Sequence, residues 1–129
     1  MAPLNFTFVA RRWPNRNQPP WTWQPLYDML GRYARENQYA DLLESILKDE
    51  KIFYEREKNI SKTTIDKNRS DFIIDKTIVV EMKVKTFTNQ DDYYLVKRYL
   101  EILNLKLGIL VNFRSKYLNP KRVLNSKIP

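Results

Sequence analysis

Between Ser70 and Phe113 the hydrophobic period of the chain switches from strand-like to helix-like and back, which restricts it to a small set of folds. Ser70 to Ile74 and Ile78 to Lys85 alternate as two strands joined around Asp75-Lys76-Thr77, the pattern of a hairpin. Asn89 then offers an N-cap, with Asp91 and Asp92 in the first turn of a helix. Leu95, Val96, Tyr99, Leu100 and Leu103 give that helix a buried face, and it should end near Asn104. Lys106 to Phe113 follows as a nearly unbroken apolar run, the kind covered on both faces in the middle of a sheet. Strand, helix and strand in this order make the last strand parallel to the Ile78–Lys85 strand through a right-handed crossover.

Upstream, Pro25 suits the first turn of a helix reading from Leu26 to about Lys48, with an interruption near Gly31. Tyr39, Leu42, Leu43, Ile46 and Leu47 fall at helical spacing and form a stripe for packing on a sheet. Ile52 to Ile60 alternates as a first strand, and Ile60 to Arg69 is a polar connection. The expected fold is therefore α/β, with a helix, three meandering strands, a helix and a parallel strand. At 129 residues the chain has room for one such domain, placed at residues 25–129, with a basic, turn-prone tail from Arg114.

Residues 1–24 read as an extended arm, because three prolines interrupt Arg11-Arg12-Trp13-Pro14-Asn15-Arg16-Asn17-Gln18-Pro19-Pro20-Trp21-Thr22-Trp23. Its tryptophans could stack on bases while Arg11 and Arg12 meet phosphates, or could pin the arm to the body, a partner subunit or a second copy of the chain. The cost of exposing indoles favours pinning.

The chain has no cysteine and no histidine. Disulfides, thiolate metal sites, Ser-His-Asp and Cys-His hydrolases and zinc enzymes built on those ligands are excluded, and carboxylate and lysine chemistry is left. No apolar run approaches the roughly 20 residues of a membrane helix, and Met1 to Ala10 lacks a signal-peptide layout, so a soluble cytoplasmic protein is expected. The net charge of +8 is uneven: residues 1–35 carry five basic and one acidic side chain, 36–60 four and seven, and 61–129 fourteen and seven. Basic ends favour a polyanion, most simply nucleic acid, although an anionic membrane surface or a crowded ribonucleoprotein would attract them too, and charge alone does not choose among these.

Alternation puts Glu81 and Lys83 on one face of their strand, while Val80, Met82 and Val84 line the other as core. Asp71 lies on the preceding strand. Two carboxylates on adjacent strands can hold a hard divalent cation, and a lysine beside them can steady an attacking water or a phosphate. Glu36 sits one turn up the Tyr39 stripe, where it either meets a cation or stands at the rim in water. For Glu81, Lys83 and Lys85, the plain alternative is a solvated edge-strand face.

Asp71 with Glu81-Met82-Lys83 resembles the signature of the PD-(D/E)xK nuclease superfamily, whose core has the element order above. Glu36-Asn37-Gln38-Tyr39 with Ala40-Asp41-Leu42-Leu43-Glu44, then Arg98-Tyr99-Leu100, Leu107 to Phe113 and Arg122-Val123-Leu124-Asn125-Ser126, resemble its GxxExxY family. The resemblance implies a restriction-endonuclease-like α-β-β-β-α-β core with a mixed sheet flanked by helices. It further implies a nuclease in which Asp71, Glu81 and Glu36 hold Mg2+ or Mn2+ and Lys83 positions the nucleophilic water. Three positions depart from the pattern: Tyr33 stands where the family has glycine, Leu95 where it has glutamine, and Ser70 where it has proline. The expected substrate is nucleic acid, DNA in preference to RNA, with Lys85, Lys97, Arg98, Arg114, Lys121, Arg122, Arg11 and Arg12 as phosphate contacts. The competing expectation is a nucleic-acid-binding module that uses this fold without cleavage.

Overall fold

The computed structural model describes residues 23–59 and 69–129, so the expected arm, with Arg11 and Arg12, lies outside the described residues up to Trp23. Helix α1 (Trp23–Leu30) has Pro25 in its first turn, and α2 (Glu36–Asp49) follows after a break. The break is at Gly31, whose φ of +69° is a conformation that glycine adopts without steric cost. Gln38 secures the start of α2 by accepting the Arg35 backbone N–H at 2.8 Å.

Strands β1 (Tyr54–Asn59), β2 (Arg69–Ile74) and β3 (Ile78–Lys83) form an antiparallel meander. Asp75 and Lys76 both have positive φ, and Thr77 donates its N–H to the Ile74 carbonyl at 3.0 Å, which fixes the register of the β2–β3 hairpin. Helix α3 (Gln90–Leu103) crosses to β4 (Leu107–Asn112), which runs parallel to β3. Asn89 and Asp92 cap α3 reciprocally, each side chain accepting the other's backbone N–H, and Asn104 ends it at φ +56°.

One expectation needs correction. The segment after Arg114 is not only turns, because β5 (Lys121–Leu124) pairs antiparallel with β4 and completes the sheet order β1-β2-β3-β4-β5. Pairing supplies what its short, charged sequence does not. Buried Asn125 anchors this end by donating to the Leu105 carbonyl at 3.2 Å and the Leu100 carbonyl at 3.4 Å near the close of α3.

The sheet separates two apolar clusters. On one face Tyr39, Leu43 and Leu47 of α2 and Leu26 of α1 pack on Phe72, Ile74, Val80, Met82, Ile109 and Val111. Tyr39 and Phe113 stack there with ring centroids 4.1 Å apart. On the other face Val96, Tyr99 and Leu100 of α3 pack on Ile73, Val79, Leu110 and Val123. The strand side chains of the two clusters lie where a period of two places them. Glu81 and Lys83 therefore share the α3 face with Val79, whereas Val80 and Met82 face α2.

Candidate active site

The sheet is interrupted around Asp71. The β2–β3 ladder stops at Phe72 and Val80, while β3 stays paired with β4 as far as Lys83 and Asn112. On the other side Glu57 of β1, opposite Asp71, has φ +54° and drops out of an otherwise regular register. Asp71 fills the gap with its side chain: its carboxylate accepts the Met82 N–H at 2.6 Å, satisfying a donor that the strand no longer does.

Glu81 is only 4% exposed and hydrogen-bonds to Asp71. Two carboxyl groups in such contact cannot both be charged at low cost, so one holds a proton. Burial, then the Asp71 hydrogen bond and charge, push the Glu81 carboxyl up to about 10, with Glu36 adding to the rise and Lys83 opposing it. Glu36, at the first position of α2, remains exposed at the rim. Partial burial and the Asp71 charge still raise its pKa, and Lys83 works against that rise. Thus Glu36, Asp71, Glu81 and Lys83 form one electrostatic group. Among the described residues, no three acidic side chains are gathered into a ready-made metal cage.

The donor set nonetheless suits a hard divalent cation. Asp71 and Glu81 offer adjacent carboxylate oxygens at a point where the β2–β3 ladder has stopped, and a cation there would offset the charge repulsion that raises the Glu81 pKa.

Lys85 lies just past β3, where its ammonium pairs with Asp92 at 2.5 Å. Burial acts to raise the Asp92 pKa, but the Lys85 hydrogen bond, the Asn89 N–H and the Lys85 and Lys83 charges outweigh it and hold the group below the ordinary aspartate value. The lowered pKa makes Asp92 a stabilising charge above its unfolded pKa of about 3.9, and the contribution is lost as pH falls through the lower folded value. Asp92→Ala should cost about 2 kcal/mol in urea unfolding at neutral pH through loss of the cap and the ion pair. The variant and the parent should converge in stability only in acid below the ordinary aspartate range.

The remaining basic candidates are not gathered into one stripe. Lys97 and Arg98 lie on α3 and Arg114 on the loop after β4. Lys121 and Arg122 point to opposite faces of β5, since their register partners are Leu110 and Ile109. Leu95 packs against the α3-side cluster, so the helix offers no side-chain amide at that position.

Three features were not anticipated. Asn112 accepts the Lys85 and Arg114 N–H groups at 3.2 Å each and donates to the Lys85 carbonyl at 2.7 Å, binding the two loops beyond β3 and β4 together. A lone asparagine in the apolar Leu107–Phe113 run was its only signal. Asp92 holds Lys85 as well as starting α3, and its place in the first turn signals only the second role. Arg32 and Arg114 donate from Nε to each other's carbonyl at 2.9 Å, and both guanidinium groups flank the Tyr33 ring at 5.1 and 5.3 Å. No local pattern marks a contact between residues so far apart in sequence.

A family model described as the PD-(D/E)XK nuclease superfamily matches residues 23–123, and no curated protein or solved structure matches the chain.

Proposed function

The chain belongs to the PD-(D/E)XK nuclease superfamily, and from that premise we propose that it is a metal-dependent nuclease of the GxxExxY type acting on DNA in preference to RNA. The observation that carries this reading is the buried Glu81 carboxyl hydrogen-bonded to Asp71, with Lys83 on the same sheet face. Asp71 and Glu81, with Glu36 from α2, would hold Mg2+ or Mn2+. When bound, such an ion lowers the pKa of its water and offsets charge on the phosphate, which removes the need for histidine. Lys83 orients the water or a phosphate oxygen through its ammonium, and Asp71 holds Met82, and with it this part of β3, in place.

With Mg2+ or Mn2+, the full chain should cleave at least one of single-stranded, duplex or branched DNA. Asp71→Asn and Lys83→Ala should each reduce the rate by about 100-fold or more, as expected when a ligand or a positioned charge is removed. Intact substrates in all three forms, or unchanged rates in both variants, would refute the nuclease reading.

A second reading, a nucleic-acid-binding module that does not cleave, is favoured by one observation. Leu95, partly buried against the α3-side cluster, stands where the family has glutamine and offers no amide. Its mark is salt-sensitive affinity without turnover. Among the described residues no helix is long and apolar enough to cross a membrane.

A further inference from the structure

Next to β3, against Leu110 and Asn112 of β4 and on the α3 face of the sheet, lies a cavity of about 470 Å³. That volume falls within the roughly 300–1,000 Å³ of small-ligand sites. Leu110 and Asn112 form part of its lining, and they are the register partners of Glu81 and Lys83. Neighbouring strands are about 4.8 Å apart, so the cavity begins one strand away from Glu81 and two from Asp71.

Its walls are the loops after β3 and β4, which carry Phe87 and Tyr117, 80% and 76% exposed. Large aromatics left in water contribute little to folding and present their faces to a ligand. Both walls are braced from behind. Asn112 joins the two loops through Lys85 and Arg114, and the Tyr27 hydroxyl donates to the Lys116 carbonyl at 2.7 Å and the Ser115 carbonyl at 3.2 Å. Lys116 and Lys121 also line the cavity, with the Lys116 ammonium 5.6 Å from the centre of the Tyr117 ring. Among the described lining residues there is no carboxylate.

We propose that this cavity is a subsite for one unpaired nucleobase next to the phosphate addressed by Asp71, Glu81 and Lys83. The base stacks on Phe87 or Tyr117, and its own phosphate meets Lys116 and Lys121. A base inside a duplex has both faces covered by its neighbours, so the substrate class this implies is single-stranded nucleic acid or an unpaired end. The inference rests on the nucleic-acid reading of the site but not on turnover.

Fluorescence anisotropy in EDTA, on the full chain carrying Glu81→Gln, tests it without cleavage. The probes are a labelled oligothymidylate, its abasic counterpart and a duplex of equal length. Phe87→Ala and Tyr117→Ala should each weaken oligothymidylate binding by about five- to a hundred-fold and change duplex binding little. The abasic strand should bind the unaltered pocket as weakly as the oligothymidylate binds the variants. Unchanged thermal melting of the two variants would confirm that the fold is intact. Failure of the parent protein to bind oligothymidylate, equal affinity for the abasic strand, or an equal loss on duplex would each overturn the subsite. A pocket that passes while Mg2+ and Mn2+ give no cleavage leaves the subsite standing and removes only the nuclease reading.

Discussion

Glu81→Gln should abolish cleavage and yet make the metal-free protein more stable at pH 8. The carboxyl is pushed up to about 10 in the folded state by burial, Asp71 and Glu36, against the opposing charge of Lys83. An unfolded glutamate titrates near 4.3. Between those values the folded chain keeps a proton that the unfolded chain releases, so the folded state binds more protons and stability falls as pH rises. Glutamine has nearly the same shape and its amide can donate to Asp71, with no proton to lose. The gain should be on the order of 1–3 kcal/mol at pH 8, several degrees in Tm, and should shrink toward pH 5. Mn2+ titration is the second arm. An ion that binds only the folded protein raises the parent's Tm, and the rise should be small or absent in Glu81→Gln. Parallel pH–stability curves for parent and variant would show that Glu81 does not hold the proton.

Gly108→Val should be strongly destabilising although it lies outside the site, at about 3 kcal/mol or more. A Cβ built at Gly108 of β4 would lie 2.6 Å from Cγ1 of Val96 and 3.4 Å from Cδ1 of Leu100. Val96 is β-branched and in a helix has essentially one rotamer, so it cannot turn away. Accommodation requires α3 to lift from the sheet, and overpacking of this kind costs about 1–3 kcal/mol or more. Val96→Ala combined with Gly108→Ala should recover part of the loss. Gly31→Ala is the contrasting case: nothing lies within 4 Å of the added carbon, but φ is +69°, so a cost of about 1 kcal/mol arises from the backbone alone. Urea unfolding of all three proteins separates crowding from backbone strain.

The fold was legible wherever local chemistry and tertiary position agreed. Asn89 and Asn104 bracket α3, Gly31 breaks the first helical stretch, and the apolar Leu107–Phe113 run is the buried parallel strand. β5 was missed because only Val123 of its four residues is buried, and it is a strand through the edge that β4 offers. At the site, alternation alone placed Glu81 with Lys83 and opposite Val80 and Met82. It could not show that β2 and β3 part at Asp71, because that depends on Glu57 and on the length of the β3–β4 pairing. Glu36 illustrates the same limit. Its spacing points it along the Tyr39 stripe, but at the first position of α2 it stays exposed, within reach of Asp71 and Lys83 by charge.

The division of the interior by the sheet has a consequence for how such a sequence can drift. Leu43 on one side and Leu100 on the other belong to clusters with no member in common. Substitutions that share no partner tend to add rather than compound. A lineage can therefore lose and regain packing under α1 and α2 without epistasis reaching α3. The α3 face around Glu81 can be remodelled for a new substrate while most of the packing under α1 and α2 is left alone, and Glu36 and Tyr27 tie that opposite side to the site.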